Sequence, residues 1–422
     1  LINGSQMRGY YAQDTDGQWK TFTPFTSNPN VDWDDPNLRL IDLVGDGFAD
    51  IMITKESCFT CYPSLAQEGY GASYETLKRF DEEEGPNIIF ADLDRTIYLA
   101  DMSGDGLVDI VQVMNGAVCY WPNLGYGRFG AKVGMDNSPL FDHQDIFDQR
   151  RVRLGDIDGS GTADIIYIAE EEVRYYPNGS GNRFEDPILI NQRIPTHDMA
   201  TLSLIDLLGN GTQCLVWSSP VPGDHPLSLK FIDLMKEGKQ YLLTGMDNNM
   251  GSITRLKYAP STKFYLKDKR EGKPWITKLP FPVQVVERVE VWDGINRNRF
   301  VTRYAYHHGY YDGVEREFRG FGRVEQWDTE TFADFTSEGL FPPGFNSGEE
   351  VLHVPPVYTK TWFHTGYYEE GIEILGQYAE EYYSGDASAL SIVRDIPGFI
   401  PVAQNSAQDF LGPGSGPGTV RE

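Results

Sequence analysis

The chain has 422 residues, enough for two or three domains or for one large β domain with an appendage. Its formal net charge is −26, from 62 acidic against 36 basic residues, and such a surface repels phosphate backbones and anionic lipids. Composition therefore argues against binding to nucleic acid or to a membrane surface, and it favours calcium or a basic protein partner. No run of about 18 apolar residues occurs, so the sequence predicts no transmembrane helix and no direct membrane insertion.

The balance of residue types favours strands and turns over helices, because glycine (44) and proline (25) are plentiful and aromatic residues make up 13%. The chain shows no charged and then apolar signal segment, and it starts at Leu1 instead of an initiator Met. We therefore expect it to be a fragment of a longer polypeptide.

Four copies of one short motif occupy the first half of the chain. In each copy an alternating apolar run leads to an Asp, a glycine-rich loop follows, and a second apolar run comes next. The copies begin at Asp42, Asp101, Asp156 and Asp206, which lie 59, 55 and 50 residues apart. That period matches one four-stranded β-propeller blade with a long loop.

The residues around each loop support the same interpretation. The apolar positions two and four residues before each first Asp alternate with period two: Leu38 and Leu40, Ile97 and Leu99, Val152 and Leu154, Leu202 and Leu204. This spacing predicts one buried face for each incoming strand. A proline preceded by an aromatic residue falls 21 positions after the first Asp in three copies, at Pro63, Pro122 and Pro177. Such a turn ends an outer strand and starts the crossing to the next blade.

The loops themselves are candidate calcium sites, because carboxylates at positions 1, 3, 5 and 9 of a glycine turn can converge on one hard cation. They resemble the D-x-D/N-x-D/N-G-x-x-D loops of integrin α-subunit propellers. The first copy has Val44 at position 3, and the fourth has Leu208 and Cys214 at positions 3 and 9. The second and third copies each keep three carboxylates and one hydroxyl, so the candidate ligands are Asp101, Ser103, Asp105, Asp109, Asp156, Asp158, Ser160 and Asp164.

The alternative is that these Asp side chains accept hydrogen bonds from the amides of their own turn and hold the hairpin without metal. The copies lose ligands at different positions while the glycines and the apolar flanks remain. Hence we expect no required cofactor, with Ca²⁺ as the candidate ion at the second and third copies.

The sequence changes character after about residue 245. Long alternating runs such as Gly251–Tyr265 and Phe281–Trp292 predict antiparallel strands separated by turns. We therefore divide the chain into 1–245, the propeller blades; 246–330, long strands that are either the remaining blades or an adjoining sheet; and 331–422, a linker with further extended segments. A short helix is expected between residues 366 and 390, and Leu411–Gly418 predicts a flexible tail.

Catalytic motifs are absent from the sequence, which contains no nucleophile elbow, P-loop, dinucleotide fingerprint or zinc helix. The four cysteines, Cys58, Cys61, Cys119 and Cys214, lie in strand-like segments and are expected to be buried structural thiols. We interpret His307 and His308 as surface or core residues rather than a ligand pair. We therefore expect a protein that is not an enzyme; a propeller glycosidase or lyase would need a titratable funnel that the sequence does not display.

Two long strings resemble the B component of the three-part Tc (toxin complex) insecticidal toxins and the related SpvB-type bacterial toxins. They are Arg-Glu-Phe-Arg-Gly-Phe-Gly at 316–322 and Thr-Lys-Thr-Trp-Phe-His-Thr-Gly at 359–366, with Gly251–Tyr265 and the Asp-Gly loops in support. The likeness covers most of residues 30–370. It implies an all-β fold with FG-GAP/VCBS-like blades, six when the propeller is complete, and antiparallel segments that lead into an Rhs-type shell, which 331–422 would begin.

The resemblance also implies a function. In that family the B component and part of the C component form a cocoon around a toxic enzyme, and the propeller closes one end, docks on the pore-forming A component and gates translocation. This chain would be a secreted, non-catalytic virulence component with the A and C components as partners. It departs from the pattern because it has no clear run of YD repeats and no effector domain. The competing interpretation, an integrin-like calcium-dependent adhesion propeller, predicts intact metal loops, whereas two of the four are damaged.

Overall fold

The computed structural model describes residues 2–3, 7–12, 18–92, 96–143, 147–194, 200–221, 229–236, 238–312, 315, 317–337, 339–342, 353–366 and 371–381. The chain forms two compact units, Leu1–Leu242 and Leu243–Glu422. The expected tail at Leu411–Gly418 lies outside the described residues.

The described residues of the first unit form five small sheets that follow one another along the chain. Sheet I has the order β1-β2-β3, sheets II and III run β4-β5-β6-β7 and β11-β10-β9-β8, sheet IV runs β12-β13-β14-β17, and sheet V runs β18-β19-β20. A ribbon, β15-β16, accompanies sheet IV. Every pairing between these strands is antiparallel.

The strand bounds are β1 (Ile2–Asn3), β2 (Arg8–Tyr10), β3 (Thr23–Pro24), β4 (Leu38–Ile41), β5 (Asp50–Thr54), β6 (Cys58–Tyr62), β7 (Tyr74–Leu77), β8 (Ile97–Ala100), β9 (Asp109–Met114), β10 (Ala117–Trp121), β11 (Val133–Gly134), β12 (Val152–Gly155), β13 (Asp164–Ile168), β14 (Val173–Tyr176), β15 (Asn178–Gly179), β16 (Arg183–Phe184), β17 (Ile188–Ile190), β18 (Thr201–Ile205), β19 (Cys214–Ser218) and β20 (Leu229–Asp233). Two 3-10 turns lie at Ala66–Glu68 and Gln149–Arg151. The predicted sequence of strand, loop and strand is therefore confirmed in all four copies.

Consecutive sheets pack face to face, and the second strand of each motif copy in sheets II to IV is buried on both sides. In β9, for example, Ile110 packs with Met52 of sheet II, whereas Val111 packs with Ile165 of sheet IV. Similar apolar layers join sheet I to sheet II and sheet IV to sheet V. Because successive side chains alternate between two apolar neighbours, these strands appear in the sequence as uninterrupted apolar runs.

Sheet V is different, since one of its faces is covered only over the central strand β19, where Cys214 and Val216 are buried. Leu215 and Trp217 pack on sheet IV. On the opposite face, Ile205, Leu229 and Phe231 are exposed by 43%, 55% and 47%. Among the described residues of the first unit, the stack of sheets therefore ends with an apolar face that is open to solvent.

The second unit is built on one six-stranded antiparallel sheet with the order β21-β22-β23-β24-β25-β26. Its strands are β21 (Gly245–Asp247), β22 (Ser252–Pro260), β23 (Gln284–Asp293), β24 (Asn298–Asp312), β25 (Glu317–Trp327) and β26 (Tyr358–Trp362). In the part of this unit that the structure describes, three helices accompany the sheet: α1 (Ser261–Arg270), α2 (Phe332–Ser337) and α3 (Gly371–Glu380). The long strands after residue 245 thus form a single sheet, which continues past residue 330 because β26 pairs with β25.

One strand prediction was too long. The run Gly251–Tyr265 was expected to be a single strand, but the strand ends at Pro260 and α1 begins at Ser261. Phe264 and Asp268, four residues apart, form the buried side of this helix. The five residues after Pro260 are too few to distinguish a period of two from a period of 3.6. The short helix expected between 366 and 390 corresponds to α3.

None of the helices formed by the described residues has the length and apolarity needed to cross a membrane.

Candidate metal centre in the Asp-Gly loops

Each loop is held by the Asp at its first position, which accepts hydrogen bonds from amides of its own turn. Asp42 accepts from the N–H groups of Val44, Gly45, Asp46 and Gly47 at 2.7–3.3 Å. Asp101 accepts from Gly104 and Gly106, Asp156 from Gly161, and Asp206 from Asn210 and Gly211. The two loop glycines have positive φ in every copy, so the amides can turn towards the carboxylate. This bonding is the alternative to metal that the sequence left open.

The Asp at position 9 is buried and connects the loop to the later proline turn. In the second copy, Asp109 Oδ2 accepts from Met102 N–H at 2.9 Å, and Oδ1 accepts from Asn123 N–H at 2.9 Å. Asp50 and Asp164 repeat this arrangement with Leu43 and Ser64 and with Ile157 and Asn178. Position 9 therefore joins two distant turns of the same sheet. The fourth copy has Cys214 at this position.

The residue at position 2 of each of the first three loops is buried between two sheets. Leu43, Met102 and Ile157 are fully buried in the apolar layers with the following sheet. Neighbouring loops also contact each other directly, since Ala163 N–H donates to Asp101 O at 2.6 Å and Gln213 N–H donates to Ile157 O at 3.3 Å. The equivalent residue of the fourth copy, Leu207, is 40% exposed. Each loop thus depends on the next sheet for the burial of its second residue.

The third loop gathers three carboxylates. Asp156, Asp158 and Asp164 each offer an oxygen, and these oxygens lie within 4.8 Å of one another. Asp158 and Asp164 are buried, and Asp156 Oδ1 is buried without a hydrogen bond of normal geometry. Ser160, the remaining predicted ligand, pairs its hydroxyl with Thr162 Oγ1 at 3.1 Å. Three hard oxygen donors of this kind fit Ca²⁺.

Burial of the carboxylates in this loop disfavours their charged forms. Burial raises the pKa of Asp164 to about 7, and hydrogen bonds from the Asn178 and Ile157 amides offset only part of that effect. Burial also raises the pKa of Asp156, and the nearby Lys239 lowers it in part. Lys239 lies directly against the loop, since a Cβ placed on Gly159 would be 2.5 Å from Lys239 Cε. The chain thus places the positively charged side chain of Lys239 beside the third loop.

The second loop does not bring its predicted ligands together in the same way. Both carboxylate oxygens of Asp101 accept loop amides, and Asp105 Oδ1 accepts Leu107 N–H at 2.9 Å. Ser103 Oγ lies 3.5 Å from Asp101 Oδ1, and burial raises the pKa of Asp109 to about 6. Among the described residues, the cluster with metal-binding spacing is the one in the third loop.

The cysteines and histidines agree with the sequence interpretation. All four cysteines are buried free thiols. His307 and His308 are buried in β24 and contact carboxylates and aromatic rings.

Sequence reasoning missed a buried ionic cluster in the second unit. Arg288 contacts both Glu290 and Glu330 at 2.7 Å, and Arg299 lies 3.6 Å from Glu290. Arg288 and Glu290 are two residues apart on β23, so their side chains lie on the same face of the sheet. This spacing of two opposite charges was the feature of the sequence that could have predicted the cluster.

Comparison with known proteins agrees with this architecture. Residues 178–366 match the family model described as the insecticide toxin TcdB middle/N-terminal region. A search of curated proteins found no match. Among solved structures, the chain is similar to one of the Photorhabdus luminescens Tc holotoxin pore, with a TM-score of 0.71 and 29% identity over 92% of this chain. It is also similar to a TcdB2-TccC3 structure, with a TM-score of 0.60 and 30% identity over 90% of this chain.

The chain resembles a Tc toxin B component. This resemblance, predicted from the strings in 316–322 and 359–366, is confirmed. The chain spans 17% of the length of each of these two solved chains, so it corresponds to a limited part of each of them.

Proposed function

We propose that this chain is a non-catalytic part of a secreted Tc-type toxin complex. In this proposal sheets I to V are blades of a β-propeller that closes the toxin-containing cocoon, docks on the pore-forming A component and gates translocation. The six-stranded sheet leads into the shell that is shared with the C component. The observation that carries the proposal is the similarity to the Tc holotoxin over 92% of the chain.

The packing of the first unit supports a radial arrangement. Among the described residues, the apolar layers join each sheet to its neighbours in sequence, and the second residue of each of the first three loops inserts into the next interface. Propeller blades are held together by this kind of neighbour packing. The open face of sheet V, with Leu207 exposed, is what a blade lacking its next neighbour would present.

We assign docking to the end of the sheets at which the Asp-Gly loops and the proline turns lie. Phe48, at position 7 of the first loop, is 48% exposed, and Leu124 and Tyr126 are exposed in the proline turn that Asp109 joins to the second loop. Exposed apolar side chains on loops that a rigid sheet positions are typical of binding surfaces. These three residues therefore form the proposed docking surface.

Catalysis and metal binding are secondary in this proposal. The buried position-9 carboxylates accept hydrogen bonds from backbone amides, so a structural role is enough to account for their burial. We propose that calcium is optional and confined to the third loop, because Asp156, Asp158 and Asp164 fit it and the loop also has Lys239 nearby. An adhesion propeller that depends on calcium would instead need several complete loops.

The decisive experiment combines binding and imaging. The chain would be immobilised and titrated with a Tc A component by biolayer interferometry, and electron microscopy of the complex would count the blades around its axis. We expect saturable binding and sheets arranged around a central channel. No binding by a folded chain, or sheets arranged in a flat row, would refute the proposal.

Two variants locate the docking surface. Phe48→Ser removes an exposed loop residue and should weaken binding at least tenfold. Leu77→Ser, a matched change at an exposed position of the outer strand β7, should leave binding unchanged. Equal effects of the two changes would place docking elsewhere, and binding that disappears when calcium is chelated would favour the adhesion function.

A further inference from the structure

Two adjacent histidines in the second unit hold two helical segments against the sheet. His307 and His308 stand in the middle of β24, and both are buried. His307 Nδ1 lies 2.6 Å from Oδ2 of Asp268 in α1. His308 Nε2 lies 3.0 Å from Oε1 of Glu381, the residue that follows α3. Both helices are therefore connected to one short stretch of one strand.

The backbone at this point allows both contacts. His308 has φ of +57°, which a residue other than glycine adopts rarely. Regular pairing with β25 skips this residue, since His307 pairs with Arg323 and Gly309 pairs with Phe321. The two rings consequently lie with their centroids 6.3 Å apart instead of projecting to opposite faces of the sheet.

The two imidazoles differ in their hydrogen bonds. His308 Nδ1 accepts Ile276 N–H at 3.1 Å, so Nε2 carries the proton and donates to Glu381. His307 has carboxylates on both sides, because Asp268 faces Nδ1 and Glu325 Oε1 lies 3.5 Å from Nε2. Only the protonated ring can donate towards both carboxylates.

The charges around His307 come from every element packed against it. Asp268 comes from α1, and Glu325 and Arg323 come from β25, where Arg323 Nη2 is 3.4 Å from Glu325 Oε1. Tyr358 of β26 hydrogen bonds to Glu325, and Trp275 Nε1 donates to Asp268 Oδ2 at 2.8 Å. Arg323 also contacts Glu381 at 2.6 Å. The cluster thus holds three carboxylates against one guanidinium, and protonation of His307 reduces the imbalance.

We propose that His307 is a proton-controlled latch that holds the C-terminal end of α1 on the sheet tightly when protonated and loosens its hold when the proton is lost and only a neutral hydrogen bond to Asp268 remains. This latch is a property of the second unit and does not depend on the proposed toxin function. It joins Asp268 and the following Trp275 segment to β24 by one charge-assisted hydrogen bond, which is stronger than a neutral one.

The direction of the pH dependence follows from the contacts. Burial alone lowers the pKa of His307, but the hydrogen bond to Asp268 and the nearby carboxylate of Glu325 outweigh it and raise the pKa. A raised pKa in the folded state gives a stabilisation that is complete below the ordinary value of about 6.5 and is lost as pH rises through the raised value. Glu325 remains ionised throughout this window, since burial raises its pKa but the bonds from His307 and Tyr358 lower it to about 2. The latch therefore opens on the alkaline side.

The first test follows the histidine itself in the full chain. Long-range ¹H–¹⁵N spectra of ¹⁵N-histidine-labelled protein, recorded between pH 5 and 9, report the pKa and tautomer of each ring. We expect one resonance to titrate well above pH 6.5 and to disappear in His307→Gln. Titration of His307 at or below 6.5 would overturn the proposal, and this result stands even if the variant does not fold.

The second test follows release of the helix. Trypsin cleavage after Lys269 and Arg270 at the end of α1 is measured from pH 6.5 to 9 and normalised to cleavage of a free peptide. We expect it to rise about tenfold for each unit by which the pKa of His307 is displaced. Asp268→Asn and His307→Gln should lose this pH dependence, whereas His308→Gln should keep it. Unchanged pH dependence in the Asp268 and His307 variants would show that the latch does not exist.

Discussion

The two units use opposite means to bury strands on both faces. In the first unit, five small sheets shield one another with apolar layers, and the buried polar groups of sheets II to IV are confined largely to the loops at one end. In the second, a single wide sheet buries charged residues on its own strands and pairs them with partners from neighbouring strands and connecting segments. Repetition along the sequence thus supplies apolar layers between sheets, and the single wide sheet adds buried ion pairs to its own apolar clusters.

The largest effect should come from breaking an apolar layer of the first unit. Trp121 is fully buried between sheets II and III, and its Nε1 donates to Glu82 O at 2.7 Å. Trp121→Ala should lower the free energy of unfolding of this unit by about 3–5 kcal/mol, because it leaves a cavity between two sheets. Urea unfolding measures the change. Leu124→Ala, at an exposed position nearby, is the control, and equal losses for both would contradict the layered packing.

Breaking the ionic cluster of the second unit should cost about 3 kcal/mol. Glu290→Gln leaves Arg288 and Arg299 buried beside one remaining carboxylate, Glu330. Because the cluster is buried, added salt should not change the loss. Glu317→Gln removes an exposed partner of Arg319 on the same sheet and should change stability by less than about 1 kcal/mol. A salt-sensitive loss at Glu290 would mean that water reaches the cluster.

The hydrogen bonds that hold the loops of the first unit should contribute less to stability than the apolar layers of that unit or the ionic cluster of the second unit. Asp109→Asn removes one of the two acceptors that bind the Met102 and Asn123 amides, which should cost about 2 kcal/mol. Hydrogen exchange at those two amides and the thermal midpoint report the effect. Asp105→Asn, at an exposed position of the same loop, should change little. Faster exchange in the Asp105 variant alone would reverse the roles we assign to positions 5 and 9.

The smallest effect concerns calcium at the third loop. Terbium luminescence or calorimetry should detect one weak site that Asp158→Ala abolishes and that Asp105→Ala, in the second loop, leaves intact. Lys239→Ala should tighten binding by roughly tenfold, because it removes a competing positive charge. Two sites of equal affinity would mean that the second loop also binds calcium through its predicted ligands. No site in any variant would leave all four loops explained by amide bonding alone.

The sequence determined most of the first unit because its signals are local and repeated. Alternating apolar residues before each Asp, two glycines with positive φ in each loop and an apolar run after it specify strand, turn and strand four times. The buried cysteines follow from the same strands. Apolar burial and turn chemistry depend on near neighbours in the chain, so a single sequence contains them.

Only the tertiary structure decided what distant residues do to one another. The second and third loops offer the same number of carboxylates, yet the oxygens with metal-binding spacing are those of Asp156, Asp158 and Asp164. Lys239 and the partners of His307 come from positions far away in the chain. Charges act through space, and their energies depend on how deeply each charged group is buried; for residues far apart in the chain, neither the distance between the charges nor the burial of the charged groups can be read from the order of residues alone.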